Sequence, residues 1–231
     1  MNNVSTISPK PISLTERLAK NWFLVFIALY GLWVWIPFLA PLFMRLDLEG
    51  PGKAIYFIYS FFCHQLPERS YFLFGPQVNY SLADIQVVWI DTVNPMLLRK
   101  FTGSAAMGWK VAWSDRMISF YGGVWLFALL WYPLRRRLRN LPWWGLLLFL
   151  LPIFLDGTTH FLSDLAGIGQ GFRDSNLWLA NLTQFARPAS FYTGDALGSF
   201  NAWMRIITGL LAGLGLVWFV FPYFDEAFST D

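Results

Sequence analysis

Four stretches of this chain are long and apolar enough to cross a hydrocarbon core, which takes roughly 20 residues of helix. They fall at about 21–44, 117–134, 141–161 and 203–224. Such segments leave few folds open, because lipid offers no partner for a backbone N–H or C=O and each span must satisfy its own as a helix. Composition agrees: 56% of the 231 residues are hydrophobic and only 13% are charged, against about 25% charged in a soluble domain. A disordered chain, a nucleic-acid binder and a secreted disulfide scaffold are thereby excluded. The single cysteine, Cys63, allows neither an internal disulfide nor a multi-thiolate metal site. Trp22, Trp143, Trp144, Trp203 and Tyr223 stand near span ends, where amphipathic rings suit the headgroup layer. Pro37, Pro41 and Pro152 are expected to bend their helices.

The first span is too long, and starts too far in, for a cleaved signal peptide. Ser13-Leu14-Thr15-Glu16 ahead of it is a capping-box pattern, which predicts a short surface helix over 13–20 after a loosely ordered tail, 1–12. Lys10, Arg17 and Lys20 precede the first span, and Arg135, Arg136, Arg137 and Arg139 crowd the loop between the second and third. With four spans both clusters share a side. The positive-inside rule makes that side the cytoplasm, with both termini, including the tail 225–231, on it. The connections 45–116 and 162–202 then lie outside, and their many aromatic residues predict a folded cap. Residues 54–74 compete as a fifth span, but His64, Glu68 and Arg69 at their centre are costly in lipid. The segment 54–65 reads instead as an interfacial helix ended by Pro67.

Polar groups near a bilayer need an explanation. Cys63, His64, Glu68 and Arg69 cluster on the surface segment. Asp156, His160 and Asp164 recur at i, i+4 and i+8, on one face of the third span. Arg116 and Arg205 open the second and fourth spans. One reading makes Cys63, His64, Asp156 and His160 transition-metal ligands. The other makes Glu68, Arg69, Arg116, Asp156 and Arg205 a structural polar cluster in which Asp156 pairs with Arg116 or Arg205. Gly209-x-x-x-Gly213 offers a small-residue face to a neighbouring helix. No P-loop, dinucleotide fingerprint, H-E-x-x-H or nucleophile elbow occurs, so no catalytic residue is assigned and the balance leans away from an enzyme.

The strings CHQLPERSYFLFG (63–75), DGTTH (156–160) and NAWMRIITGLLAG (201–213), in that order, resemble the uncharacterised bacterial membrane-protein family called domain of unknown function 2085. The resemblance extends over about 50–224 and implies a multi-pass plasma-membrane protein of unassigned activity. Cys63, His64, Gln65, Pro67, Glu68, Arg69, Ser70 and Gly75 match the family's first motif, and Arg116, Tyr121, Arg205, Thr208 and Gly209 match later ones. Ser114 and Met117 stand where the family usually has cysteines, and His160 where it has Gln. Thiol chemistry implied by the family pattern is therefore lost here. Residues 177–200 read as an inserted outer loop whose aromatic residues suit docking.

The expectation is an all-α integral membrane protein of four transmembrane helices, an interfacial helix and a folded extracytoplasmic cap. It forms a single membrane domain over 21–224 in a bacterial plasma membrane. Its expected role is a non-catalytic accessory or scaffold subunit of a larger assembly, respiratory or photosynthetic, contacting lipid and other subunits through its cap and helix faces. The alternative is a metal-dependent or redox protein with its site at the outer surface. No cofactor is required by the sequence.

Overall fold

The computed structural model describes residues 13–228; the expectations for the tail 1–12 and for 229–231 lie outside the described residues. The protein is mostly helical, with four helices long and apolar enough to cross a membrane. Helix α1 (Leu14–Lys20) opens with the capping box: the Ser13 hydroxyl accepts from the Glu16 amide and Glu16 accepts from the Ser13 amide. The first span, Trp22–Arg45, consists of α2 (Trp22–Trp35), a 3₁₀ turn (Ile36–Phe38) and α3 (Leu39–Arg45). Pro37 sits in that turn, where its missing N–H interrupts the ladder.

Helix α4 is Glu49–Tyr59. It therefore starts and ends several residues earlier than the helix expected over 54–65. Pro51 is accommodated because it lies in the first turn, where amides have no helical partner. Cys63, His64, Gln65 and Leu66 are non-helical, and Gln65 takes a positive φ of 53°.

No α-helix occupies 60–74; Pro67–Arg69 form a single 3₁₀ turn. Residues 70–73 form strand β1 (Ser70–Leu73), followed by α5 (Leu82–Val88), α6 (Pro95–Leu98), β2 (Gly103–Ser104) and β3 (Gly108–Ser114). The sheet is antiparallel in the order β1-β3-β2, with Ser70 opposite Ser114 and Gly103 opposite Trp109. It is the one departure from an all-helical expectation. Its central strand lacks an alternating pattern and carries Lys110 fully buried. Gly108 is required here: at φ 81°, an added Cβ would lie 2.4 Å from the Leu73 carbonyl oxygen.

Strand β3 runs directly into α7 (Asp115–Leu134), the second span, and α8 (Trp143–Asp164) is the third. Short helices α9 (Phe172–Ser175), α10 (Leu177–Leu182) and α11 (Ala189–Tyr192) complete the cap before α12 (Phe200–Phe228), whose helix continues past residue 224. The last span is the most enclosed of the four and packs against α7 and α8, while α2 packs on α7. Phe23, Val124, Ala128, Trp131, Val217 and Phe221 form a core between the first, second and fourth spans. A separate core in the cap gathers Phe72, Tyr80, Ile85, Leu98, Phe101 and Ile168. A third joins α3 and α4 to β3 around Trp113, and includes Cys63. The cap thus sits over the end of the bundle where α7 begins, α8 ends and α12 begins. The arginine cluster is at the opposite end, where Arg135 reaches Asp225 at 3.2 Å.

Candidate functional site

Where the cap meets the bundle, carboxylates and guanidiniums from six segments converge. Arg205, on the first turns of α12 and 2% exposed, donates to both oxygens of Asp115 (2.8–2.9 Å) and to Asp195 at 2.6 Å. Arg69 forks onto Asp164 with two bonds of 2.7 Å and reaches Asp195 at 2.8 Å. Asp156 takes Arg116 on one oxygen (2.7 Å) and Arg173 on the other (2.8 Å). These bonds join the second span to the third, and both to the cap. The helical face of Asp156, His160 and Asp164 explains part of this: one turn separates each group, so all three address the same side of α8.

His160 is 2% exposed. Its Nδ1 lies 2.9 Å from the Asp156 carbonyl and 3.2 Å from Arg116 Nη2, while Nε2 has no hydrogen-bond partner and stands 3.6 Å from Asp195. Burial alone would raise the Asp195 carboxyl, but Arg69 and Arg205 outweigh it and hold it well below the usual carboxylate range. In the cap, Lys110 donates from Nζ to the carbonyls of Gln65 (2.6 Å) and Arg99 (2.7 Å), and burial pushes its amine down to about 7.

Among the described residues, Glu68 is the carboxylate of the cluster that makes no hydrogen bond. It is 2% exposed, neither carboxyl oxygen has a hydrogen-bond partner, and Arg69 Nε approaches Oε1 only to 4.0 Å. Burial raises its pKa to about 7, against the opposing pull of Arg69. With an ordinary value of 4.5 in the unfolded chain, the folded state holds this proton longer. Stability present below about pH 4.5 is therefore lost as the pH rises towards about 7. The loss is on the order of 3 kcal/mol, at roughly 1.36 kcal/mol per pH unit. Glu68→Gln mimics the protonated acid and should remove this dependence. Its melting temperature relative to the unaltered protein is expected to climb between pH 5 and pH 8; a constant difference would mean that Glu68 does not titrate in this range.

Of the four residues proposed as metal ligands, the structure brings only Asp156 and His160 into contact. The Cys63 thiol accepts from the backbone amides of Gln65 and Ser114, both at 3.3 Å, and His64 follows it in the non-helical stretch 63–66. Among the described residues no group of three or more His, Cys, Asp or Glu is arranged to hold a metal ion. Glu68, Arg69, Arg116, Asp156 and Arg205 all belong to the cluster, with Asp156 pairing with Arg116 and Arg205 with Asp115 and Asp195. Sequence reasoning missed Asp115, Arg173 and Asp195. Asp115 adjoins Arg116, a signal that was available; Asp195 lies in the segment read as an inserted docking loop and had none.

The cluster also borders a cavity of about 310 Å3 between α8 and the cap, which both histidines line together with Arg69, Arg99 and Arg116.

Comparison with known proteins gives a family but no activity. The "Uncharacterized protein MJ1492" of Methanocaldococcus jannaschii is 25% identical over 215 residues, covering 90% of this chain and 95% of its own length. That relative is archaeal, so the similarity does not confine this chain to bacteria. No solved structure matches. The family model described as "Predicted membrane protein (DUF2085)" matches residues 104–219, from β2 through most of α12, leaving the string at 63–75 outside the matched region. With half of its length matched in this way, the chain belongs to the DUF2085 family of predicted membrane proteins.

Proposed function

We propose that this protein is a non-catalytic accessory or scaffold subunit of a larger membrane assembly, with its cap on the extracytoplasmic face and both termini in the cytoplasm. The observation that carries this reading is the apolar surface of the cap. Val87 on α5 is 86% exposed, and Leu177, Trp178 and Leu182 on α10 and Phe185 just after it are exposed as well. Lipid explains exposed leucines on the spans, but these side chains stand outside the four membrane-crossing helices, and such patches mark interaction surfaces. The ion pairs beneath give the cap a rigid seat, as a docking module requires. Orientation rests on the basic loop Arg135–Arg139 at the far end of the bundle.

The alternative, a metal-dependent or redox centre on Cys63, His64, Asp156 and His160, has weaker support. Asp156 has both oxygens engaged by arginines, the Cys63 thiol already accepts two amides, and three guanidiniums around the histidines oppose a bound cation.

A Val87→Cys variant tests both halves of the proposal, because the native Cys63 is buried. A membrane-impermeant maleimide should label it in intact cells, and a thiol-directed crosslinker should join it to a second membrane protein in native membranes. Labelling only in inverted vesicles would reverse the orientation. A labelled cysteine that captures no protein from native membranes would remove the support for a subunit role.

A further inference from the structure

The cavity between α8 and the cap has a floor and a rim of different chemistry. Its polar lining is Arg69, Arg99 and Arg116, with His64, His160 and one carboxylate, Asp164. That carboxylate is fully engaged, since Arg69 forks onto both of its oxygens. Arg116 spends only Nη2 on Asp156 and His160, and its buried Nε has no partner. Arg99 donates to the Ser60 carbonyl at 3.0 Å and has no carboxylate within ion-pair distance among the described residues. Arg69 and Arg116 thus have carboxylate partners, and the positive charge left unpaired in the lining among the described residues is that of Arg99. His64 reports the same field: burial lowers its pKa, and Arg99 and Arg69 lower it further.

The rim is apolar. Phe161 on the last turn of the third span, Leu165 just after its end and Met96 on α6 line the cavity and are exposed. Phe161 and Leu165 flank the end of a membrane-crossing helix, where acyl chains give way to headgroups. The volume of about 310 Å3 is at the lower end of small-ligand sites, ample for a phosphate ester with the first part of its chain. Planar guanidiniums suit such an oxyanion, which they bind by paired charge-assisted hydrogen bonds.

We propose that this cavity binds the phosphate headgroup of an anionic lipid, with Arg99 and Arg116 as its unsatisfied donors and Met96, Phe161 and Leu165 flanking the chain. Lys110 fixes the Arg99 backbone by donating to its carbonyl, so the donor is held in place before the ligand arrives. The site shares no residue with the exposed patch on α5 and α10 on which the proposed subunit role rests.

The test is native mass spectrometry of the full chain in detergent, titrated with phosphatidic acid and with diacylglycerol of the same acyl chains. Phosphatidic acid should bind at least about tenfold more tightly, the order expected for one charge-assisted contact. Arg99→Gln should abolish that preference. Met96→Glu, which places a like charge at an exposed rim position and leaves the packing alone, should weaken phosphatidic acid about tenfold while sparing diacylglycerol. Should Arg99→Gln fail to fold, Met96→Glu decides the matter. Equal binding of the two lipids, or unchanged preference in Met96→Glu, would overturn the proposal. Displacement of phosphatidic acid by millimolar inorganic phosphate would reassign the site from a lipid to the free ion.

Discussion

Arg205→Met is expected to leave little folded protein. Among the described residues its guanidinium is the sole side-chain partner of Asp115 and one of two arginines on Asp195, and all three residues are buried. Methionine keeps much of the volume but strands the Asp115 carboxylate with only the Arg116 amide as a donor. Removing one partner of a buried pair costs about 3–5 kcal/mol, because the remaining charge has lost both water and its counter-ion. That is a large share of the roughly 5–15 kcal/mol that holds an ordinary domain together. Thermal unfolding in detergent, read by monodispersity after heating, should show a much lower midpoint. Adding Asp115→Asn to the same chain should recover part of the loss, since it removes the stranded charge. A single variant as stable as the unaltered protein would show that the cluster contributes little to holding cap and bundle together.

The second large effect is steric. An added Cβ at Gly209 would lie 2.2 Å from the Ser119 hydroxyl and 3.1 Å from the Arg116 carbonyl oxygen. One turn on, a Cβ at Gly213 would meet the backbone of Phe120 and Val124 at 3.0 Å. The Gly-x-x-x-Gly face therefore brings α12 against the backbone of α7, and it does so beside Arg205, whose carbonyl accepts from Ser119 at 3.3 Å. Gly209→Ala should cost about 1–3 kcal/mol by overpacking. Gly209→Leu should cost more, because forcing the helices apart also pulls Arg205 away from Asp115. The signature is coupling: Ser119→Ala, which removes the nearest clashing atom, should restore part of the stability of Gly209→Ala while doing little alone. Purely additive effects would show that the two positions do not meet.

Much of this architecture was legible in the sequence, for a reason peculiar to membranes. A span must be long, apolar and helical at once, so four uninterrupted apolar runs left little choice. The i, i+4, i+8 spacing of Asp156, His160 and Asp164 placed them on one face without any structure. The cap was legible only as a folded region. Its strands hold four, two and seven residues, and the longest buries a lysine where a pattern reader expects an apolar side chain. The bounds of α4 shifted because Pro51, a helix breaker elsewhere, is tolerated in the first turn, while Gln65 at positive φ had no advance sign. Asp195 was illegible for another reason. It lies among turn residues, and its importance comes from Arg69 and Arg205, 126 and 10 positions away.

The bond between Arg205 and Asp115 closes across 90 positions. During synthesis Asp115 emerges with the second span, yet its counter-ion arrives only with the last. Asp195 likewise waits for Arg205 to complete its pairing. A chain halted before α12 therefore leaves Asp115 without its guanidinium and Asp195 with Arg69 alone. Completion is in this sense recorded chemically: the final hydrophobic segment, once inserted, is what neutralises the charges left by its predecessors.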